Sequence, residues 1–328
     1  DLARHYSNIE LLDKKIGEIL KQLKEDGLYD NTIIFFYSDH GGPLPRQKRE
    51  IFDSGLRAPL MVRFPNGENS GRIKALVSFT DLAPTVLSLA NIKPPKHMDG
   101  LAFLGKYKAK DRKAIYGTSD RFDEFTDRIR AVRDAQFLYV KNYHVNLPKY
   151  KDVSYRKSVP MMNNILELHK LNSLNISQEY WFQPKVTEEL YDCKNDPYQL
   201  NNLASNPIYK KKLEELRKLE QKQFESKTDY GSYFEADLIN KMWPNGQQPE
   251  AEVVTIENKT GLVSLSTMTI GASISFLILP IDSKEKITQN SNWKLYTKPF
   301  TLQKGYVVYS KASRIGYKES EIKTLTIN

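Results

Sequence analysis

Asn31-Thr-Ile-Ile-Phe-Phe-Tyr-Ser-Asp-His-Gly-Gly42 is the stretch on which the fold turns. Thr32 to Tyr37 is an unbroken β-branched and aromatic run, the pattern of a strand buried on both faces of a parallel sheet. Ser38-Asp39-His40 closes it, and Gly41 and Gly42 let the chain turn away. Ligands of open α/β sheets bind beyond the carboxyl ends of the strands, which places Asp39 and His40 where chemistry is done. A carboxylate beside an imidazole is half of a metal site; a turn capped by Asp39, with His40 at the surface, accounts for the same dipeptide.

Upstream, Ile9, Leu12, Ile16, Leu20 and Leu23 recur at helical spacing, with charged residues between them. Gly27 stops that helix, and Asp30-Asn31 turns the chain into the strand. Downstream come a loop from Gly41 to Gly55 and a second apolar strand, Leu60-Met-Val-Arg-Phe64. Thr80 is placed to cap a helix carrying Leu82, Val86 and Leu89. Alternating helix and strand predict an α/β sheet over residues 1–100.

The pattern then changes. Residues 115–118, 129–133, 137–141 and 189–192 read as strands, with a hairpin turn at Asp134-Ala135, and a charged helix opens at Asn206-Pro207 with Tyr209, Leu213 and Leu216 inward. Residues 101–228 are therefore expected to form a small antiparallel α+β subdomain. Residues 143–185 carry no clear period. Residues 229–252 read as a linker, and 253–328 as short strands of a β-sandwich, with Ile274, Phe276 and Ile278 alternating. Trp293, Tyr296 and Tyr317 serve either a core or a sugar-stacking surface.

The ordered series Ser38-Asp-His-Gly41, Lys48, Gly55-Leu-Arg-Ala-Pro59, Thr80-Asp-Leu-Ala-Pro-Thr85 and Glu189-Leu-Tyr-Asp-Cys-Lys-Asn-Asp-Pro197 resembles the sulfatases of the alkaline-phosphatase-like superfamily. The likeness extends over about the first 225 residues, nearest to polysaccharide sulfatases similar to N-sulfoglucosamine sulfohydrolase. The resemblance implies the carboxyl-terminal portion of an alkaline-phosphatase-like parallel sheet. It also implies one Ca²⁺ held in part by Asp39 and His40, and a sulfate contact from the catalytic Lys48. The histidine serves either the metal or, as a catalytic residue, a hydrogen bond to the sulfate or a metal-bound oxygen. Arg46 and Arg49 flank that lysine, and a two-residue slip in the comparison selects Arg46 instead. Arg121, Asp123, Glu124 and His144 fall where related enzymes build substrate specificity; an internal ion-pair cluster suits the first three equally, and a surface histidine suits the last. Residues 293–300 and 311–320 are similar to the β-sandwich appended to some chitobiases and polysaccharide-active enzymes.

The family nucleophile is a formylglycine made from Cys or Ser in a Cys/Ser-x-Pro-x-Arg motif, and neither Cys193 nor Ser158 lies in one. The upstream aspartate pair of the family is absent as well, and Asp1 falls in mid-fold by the comparison. A carboxyl-terminal portion of an exported, secreted or periplasmic enzyme is expected, inactive alone and partnered by the amino-terminal portion of the same protein. A phosphatase or phosphodiesterase of the same superfamily, built around zinc, and a non-catalytic glycan-binding module are the rival readings. The 328 residues carry a formal charge of +9, with lysines scattered along the chain, which suits a sulfated polysaccharide and comes with no nucleic-acid motif. The longest apolar run, Ile274 to Ile281, is too short to span a bilayer. A single cysteine excludes an intrachain disulfide.

Overall fold

The computed structural model describes residues 1–67, 70–288 and 291–327. The chain forms two compact units, Asp1–Ser232 and Tyr233–Asn328. The first opens with helix α1 (Leu2–Glu25), whose apolar face exists as read but buries no residue; Leu2, Tyr6, Ile9 and Leu12 are exposed. Gly27, at φ +69°, ends it, while the Leu28 and Gly27 amides return to the carbonyls of Leu23 and Lys24. A left-handed glycine with those two bonds satisfies carbonyls that would otherwise be orphaned.

Strand β1 (Ile34–Tyr37) pairs antiparallel with β2 (Leu60–Arg63), Ile34 opposite Arg63 and Tyr37 opposite Leu60. Among the described residues every strand ladder is antiparallel, so the parallel sheet read from the apolar run is corrected here. The physical reason is the connection. Parallel neighbours need a crossover of a dozen or more residues, usually helical, whereas residues 38–59 hold only the one-turn helix α2 (Asp53–Leu56) and bring the chain straight back beside β1. Arg63 fixes the return, donating to the carbonyls of Tyr29 and Thr32 at 2.7 and 3.2 Å with its guanidinium 3.6 Å from the Tyr29 ring centroid. Helix α3 (Leu82–Leu89) follows a 3₁₀ turn that is capped by a reciprocal Ser78–Asp81 pair rather than by Thr80.

The four expected strands are present as β3 (Ile115–Phe122), β4 (Phe125–Arg133), β5 (Phe137–Asn142) and β6 (Glu188–Asp192), paired in that order. One face packs Val132, Tyr139 and Leu190 against Leu213 and Leu216 of a helix spanning Lys210–Glu225. The other packs Ile129, Ala131, Leu138, Val140 and Tyr191 against Ile51 and Phe52 of the loop that follows β1. Fully burying such apolar side chains contributes about 1.5–3 kcal/mol each, so this loop is seated on the sheet and cannot drift from it. Residues 143–185, patternless in sequence, form three helices, α4 (Ser154–Lys157), α5 (Pro160–Lys170) and α6 (Ile176–Glu179), around Tyr150, Met162 and Trp181.

In the second unit the stretch expected as a linker includes a helix, Glu235–Met242. Beyond it lie a three-stranded sheet containing Leu262–Ser266 and a four-stranded sheet containing Ser273–Pro280 and Tyr306–Ser313. Both sheets contribute to one core, Val263 and Leu265 from the first, Ile274, Val308 and Ala312 from the second. Tyr296 packs on that core, forming an aromatic group with Phe276 and Phe300.

Candidate functional site

The loop after β1 is built by close backbone approach. The Gly41 amide donates to the Gly55 carbonyl at 2.9 Å, and Lys48 N donates to the Gly42 carbonyl at 3.0 Å. A Cβ on Gly41 would come within 2.9 Å of the Ser54 carbonyl carbon and closer still to its oxygen, so no other residue fits there. Arg46 and Arg49 adopt left-handed backbone, φ 59° and 70°, conformations that cost non-glycine residues free energy and need a surrounding structure to hold them. Arg46 is held by the carbonyls of Tyr198 and Gln199, at 2.5 and 2.9 Å, and stacks on Phe52. Arg49 is held by Asp123 at 2.5 Å.

These constraints deliver a cavity of about 280 Å³ between the loop and the end of β3, lined among others by His40, Lys48, Arg49, Glu50, Ser119 and Phe122. His40 and Lys48 thus share a wall. The ammonium of Lys48 makes no ion pair or hydrogen bond among the described residues and lies 4.8 Å from the Tyr155 ring centroid. Asp39 points its carboxylate outward, 83% exposed, with Oδ2 3.5 Å from His40 Nε2. The other imidazole nitrogen, Nδ1, is 2.7 Å from the Gly41 carbonyl; if it carries the ring proton, Nε2 is left free to accept or to bind an ion.

The remaining sequence candidates divide. Asp123 reaches the site through Arg49. Glu124 turns instead to the Ser154 backbone amide at the start of α4, a bond that holds its carboxyl below the usual carboxylate range. Arg121 donates toward the Tyr230 carbonyl at 3.4 Å. His144 Nδ1 lies 3.8 Å from the buried carboxylate of Asp127, which Lys185 already holds at 2.5 Å. Neither Arg46, Arg121, Glu124 nor His144 lines the cavity. Residues that do line it without having been singled out include Glu50, Ser119 and Phe122. Arg156, from α4, stands behind them, pairing with Glu50 and donating to the Lys48 carbonyl. No motif marks these positions; the packing of Ile51 and Phe52 onto the sheet, with the Arg156 contacts, brings them together.

Known proteins resemble this chain in sequence and fold. Residues 1–92 match the sulfatase family. Over 98% of its length the chain is 44% identical to an ulvan-active sulfatase of Formosa agariphila, covering 54% of that protein. It is 28% identical to human N-sulphoglucosamine sulphohydrolase over 66% of the chain and 46% of the human protein. The chain therefore spans about half the length of the curated relatives it matches. The solved structure of a 2-O GAG sulfatase shares its fold at a TM-score of 0.50 and 24% identity, over 68% of this chain and 42% of that one.

Calcium takes six to eight oxygen ligands. Asp39 and His40 offer one carboxylate and one imidazole, and among the described residues no cluster of three or more His, Cys, Asp or Glu side chains is placed to hold an ion. These residues do not by themselves make a calcium site. Likewise, among the described residues no helix is long and apolar enough to cross a membrane.

Proposed function

We propose that this chain is the carboxyl-terminal portion of an exported sulfatase, secreted or periplasmic, that hydrolyses sulfate esters of a sulfated polysaccharide or its oligosaccharides. Water is consumed, the oxygen–sulfur bond breaks, and a sugar hydroxyl and inorganic sulfate are released. One observation carries the reading: the ammonium of Lys48, without an ion pair among the described residues, and the imidazole of His40 line one cavity, beside the exposed carboxylate of Asp39. An anionic ester held in such a pocket has a point charge to stabilise oxygen charge as it builds.

Asp39, with His40, would supply one side of a Ca²⁺ coordination sphere completed from outside these 328 residues. The formylglycine nucleophile would come from the same amino-terminal portion. The exposed apolar face of α1 and the half-buried β1 are surfaces that a further part of the fold would cover. In the second unit, two sheets sharing one core suit a chitobiase-type β-sandwich.

The test is sulfate release from ulvan oligosaccharides by the full-length protein. Lys48→Ala is expected to lower kcat/KM by about a hundredfold or more, as loss of an electrostatic contact to developing charge does elsewhere. The 328-residue chain alone is expected to release none. Wild-type-like turnover by the Lys48 variant, or by the isolated chain, would refute the assignment.

A further inference from the structure

Positive charge is unevenly spread along the chain. Residues 93–113 carry six lysines and one arginine against two aspartates, more than half of the formal +9. The segment begins where the match to the sulfatase family ends, at residue 92, and none of its lysines lines the cavity. Its mounting is α3. Asp81, Thr85 and Ser88, all buried, accept through their side-chain oxygens from the amides of Leu101, Phe103 and Tyr107 at 2.7, 3.1 and 2.8 Å. Gly105, φ +82°, brings the turn against the end of the helix, where a Cβ would stand 2.6 Å from the Ser88 carbonyl carbon. The chain thus leaves α3 at Leu89, returns to Asp81 at Leu101, reaches Ser88 again at Tyr107 and comes back to Asp81 at Arg112. A helix of 8 residues is about 12 Å long, so these passes gather the lysines into one patch. All six are exposed. Asp99 is taken by Lys227 at 2.8 Å, Asp111 pairs with Lys108 at 3.9 Å, and Arg112 pairs with Asp81. Lys93, Lys96, Lys106, Lys110 and Lys113 make no ion pair among the described residues. Like charges held together repel one another, and a fixed mounting spares a ligand the cost of ordering them.

We infer that these five lysines form a second binding surface for the sulfated polysaccharide, holding a stretch of the polymer outside the cavity. This rests on the sulfatase reading and adds to it a preference for long chains. Ammonium groups on flexible stems meet sulfate oxygens as point charges and ask for no single geometry, which suits a repeating anionic polymer. A chain held there offers its other esters to the cavity at a raised effective concentration. Phe103 and Tyr107 of the segment are half-buried, so the patch lacks the open aromatic platform on which single-stranded nucleic acid stacks.

Sulfate release by the full-length protein would be measured on polymeric ulvan and on a tetrasaccharide prepared from it. The patch variant combines Lys93→Gln, Lys96→Gln, Lys106→Gln and Lys110→Gln. A control combines Lys284→Gln, Lys298→Gln, Lys304→Gln and Lys323→Gln, four exposed lysines of the second unit, and removes the same charge. The patch variant is expected to lose about tenfold in kcat/KM on the polymer, mainly through KM, and to keep its rate on the tetrasaccharide. The control should keep both rates to within about twofold. In about 1 M salt, where charges are screened beyond about 3 Å, the difference on the polymer should close. Equal losses in patch and control variants would assign the effect to net charge and overturn the inference. An unchanged rate on the polymer would overturn it too, as would an equal loss on the tetrasaccharide, which would put these lysines at the ester. Retention on immobilised dextran sulfate, with dextran as the blank, is read alongside and does not depend on turnover. Weaker retention of the patch variant than of the control sustains the surface even where no sulfate is released, a result that removes the sulfatase reading alone; equal retention removes the surface alone.

Discussion

Arg156 is the side chain whose loss should be felt most widely. It pairs with the Glu50 carboxylate and donates to the carbonyls of Lys48 at 3.2 Å and Lys151 at 3.4 Å. Glu50 is 4% exposed, so Arg156→Met strands a carboxylate away from water. Breaking a buried pair from one side costs about 3–5 kcal/mol. Removing both charges with Glu50→Leu and Arg156→Met leaves no stranded ion, and exchange of a buried pair for apolar residues is often near neutral. Urea unfolding of the 328-residue chain, followed by the fluorescence of Trp181 5.1 Å from the guanidinium, measures both variants. With an m-value of about 2 kcal/mol/M, the single variant's midpoint should fall by about 1.5–2.5 M, and the double variant should recover at least half of that. A midpoint shift under about 0.5 M in the single variant, or a double variant no more stable than the single, would refute the claim that this pair seats the loop.

Gly41→Ala must force the chain off the Ser54 carbonyl; a displacement near 1 Å at a reacting group costs about a hundredfold, and full-length kcat/KM should fall by that order while a circular dichroism spectrum stays native-like. The Cys193 thiol is pushed by burial up to about 12, so iodoacetamide at pH 8 should label it only after denaturant is added; rapid native labelling would contradict its place in the core. Arg217, bidentate at 2.7 Å, holds the Glu188 carboxyl below its ordinary value of 4.5. A depressed folded value means stability that is present above the ordinary one and lost as pH falls through the depressed one. Both groups are partly exposed, so Glu188→Gln should lower Tm by about 2–4 °C at neutral pH, with the gap closing as the pH falls below about 4.5; a gap constant down to pH 3 would show the pair contributes nothing.

What the residues disclosed unaided was local and ordered along the chain. The period in α1, the glycine stop at Gly27, the four strands from Ile115 to Asp192 and the capped helix after Asn206 all follow from patterns a few residues long. The pairing sense of β1 did not, because an apolar run of four to six residues fits either direction and the choice rests on the connection. His40 and Lys48 were legible through motifs, and the structure puts them on one cavity wall. Ser119, Glu50 and Arg156 were not, because their roles arise from contacts between segments distant in the chain, and nothing about a lone serine on a strand announces that its hydroxyl will be left without a partner. Glu124 shows the converse: a carboxylate in a suggestive neighbourhood is taken up in capping α4.

The cavity's two walls have separate origins. The loop that presents His40 and Lys48 is anchored by Ile51 and Phe52 to one face of the four-stranded sheet, while Ser119 and Phe122 belong to strand β3 of a hairpin in that same sheet. The two walls are therefore separate segments joined by a firm floor. Side chains on the hairpin, positions 118–124, can be exchanged without disturbing the packing that anchors the loop.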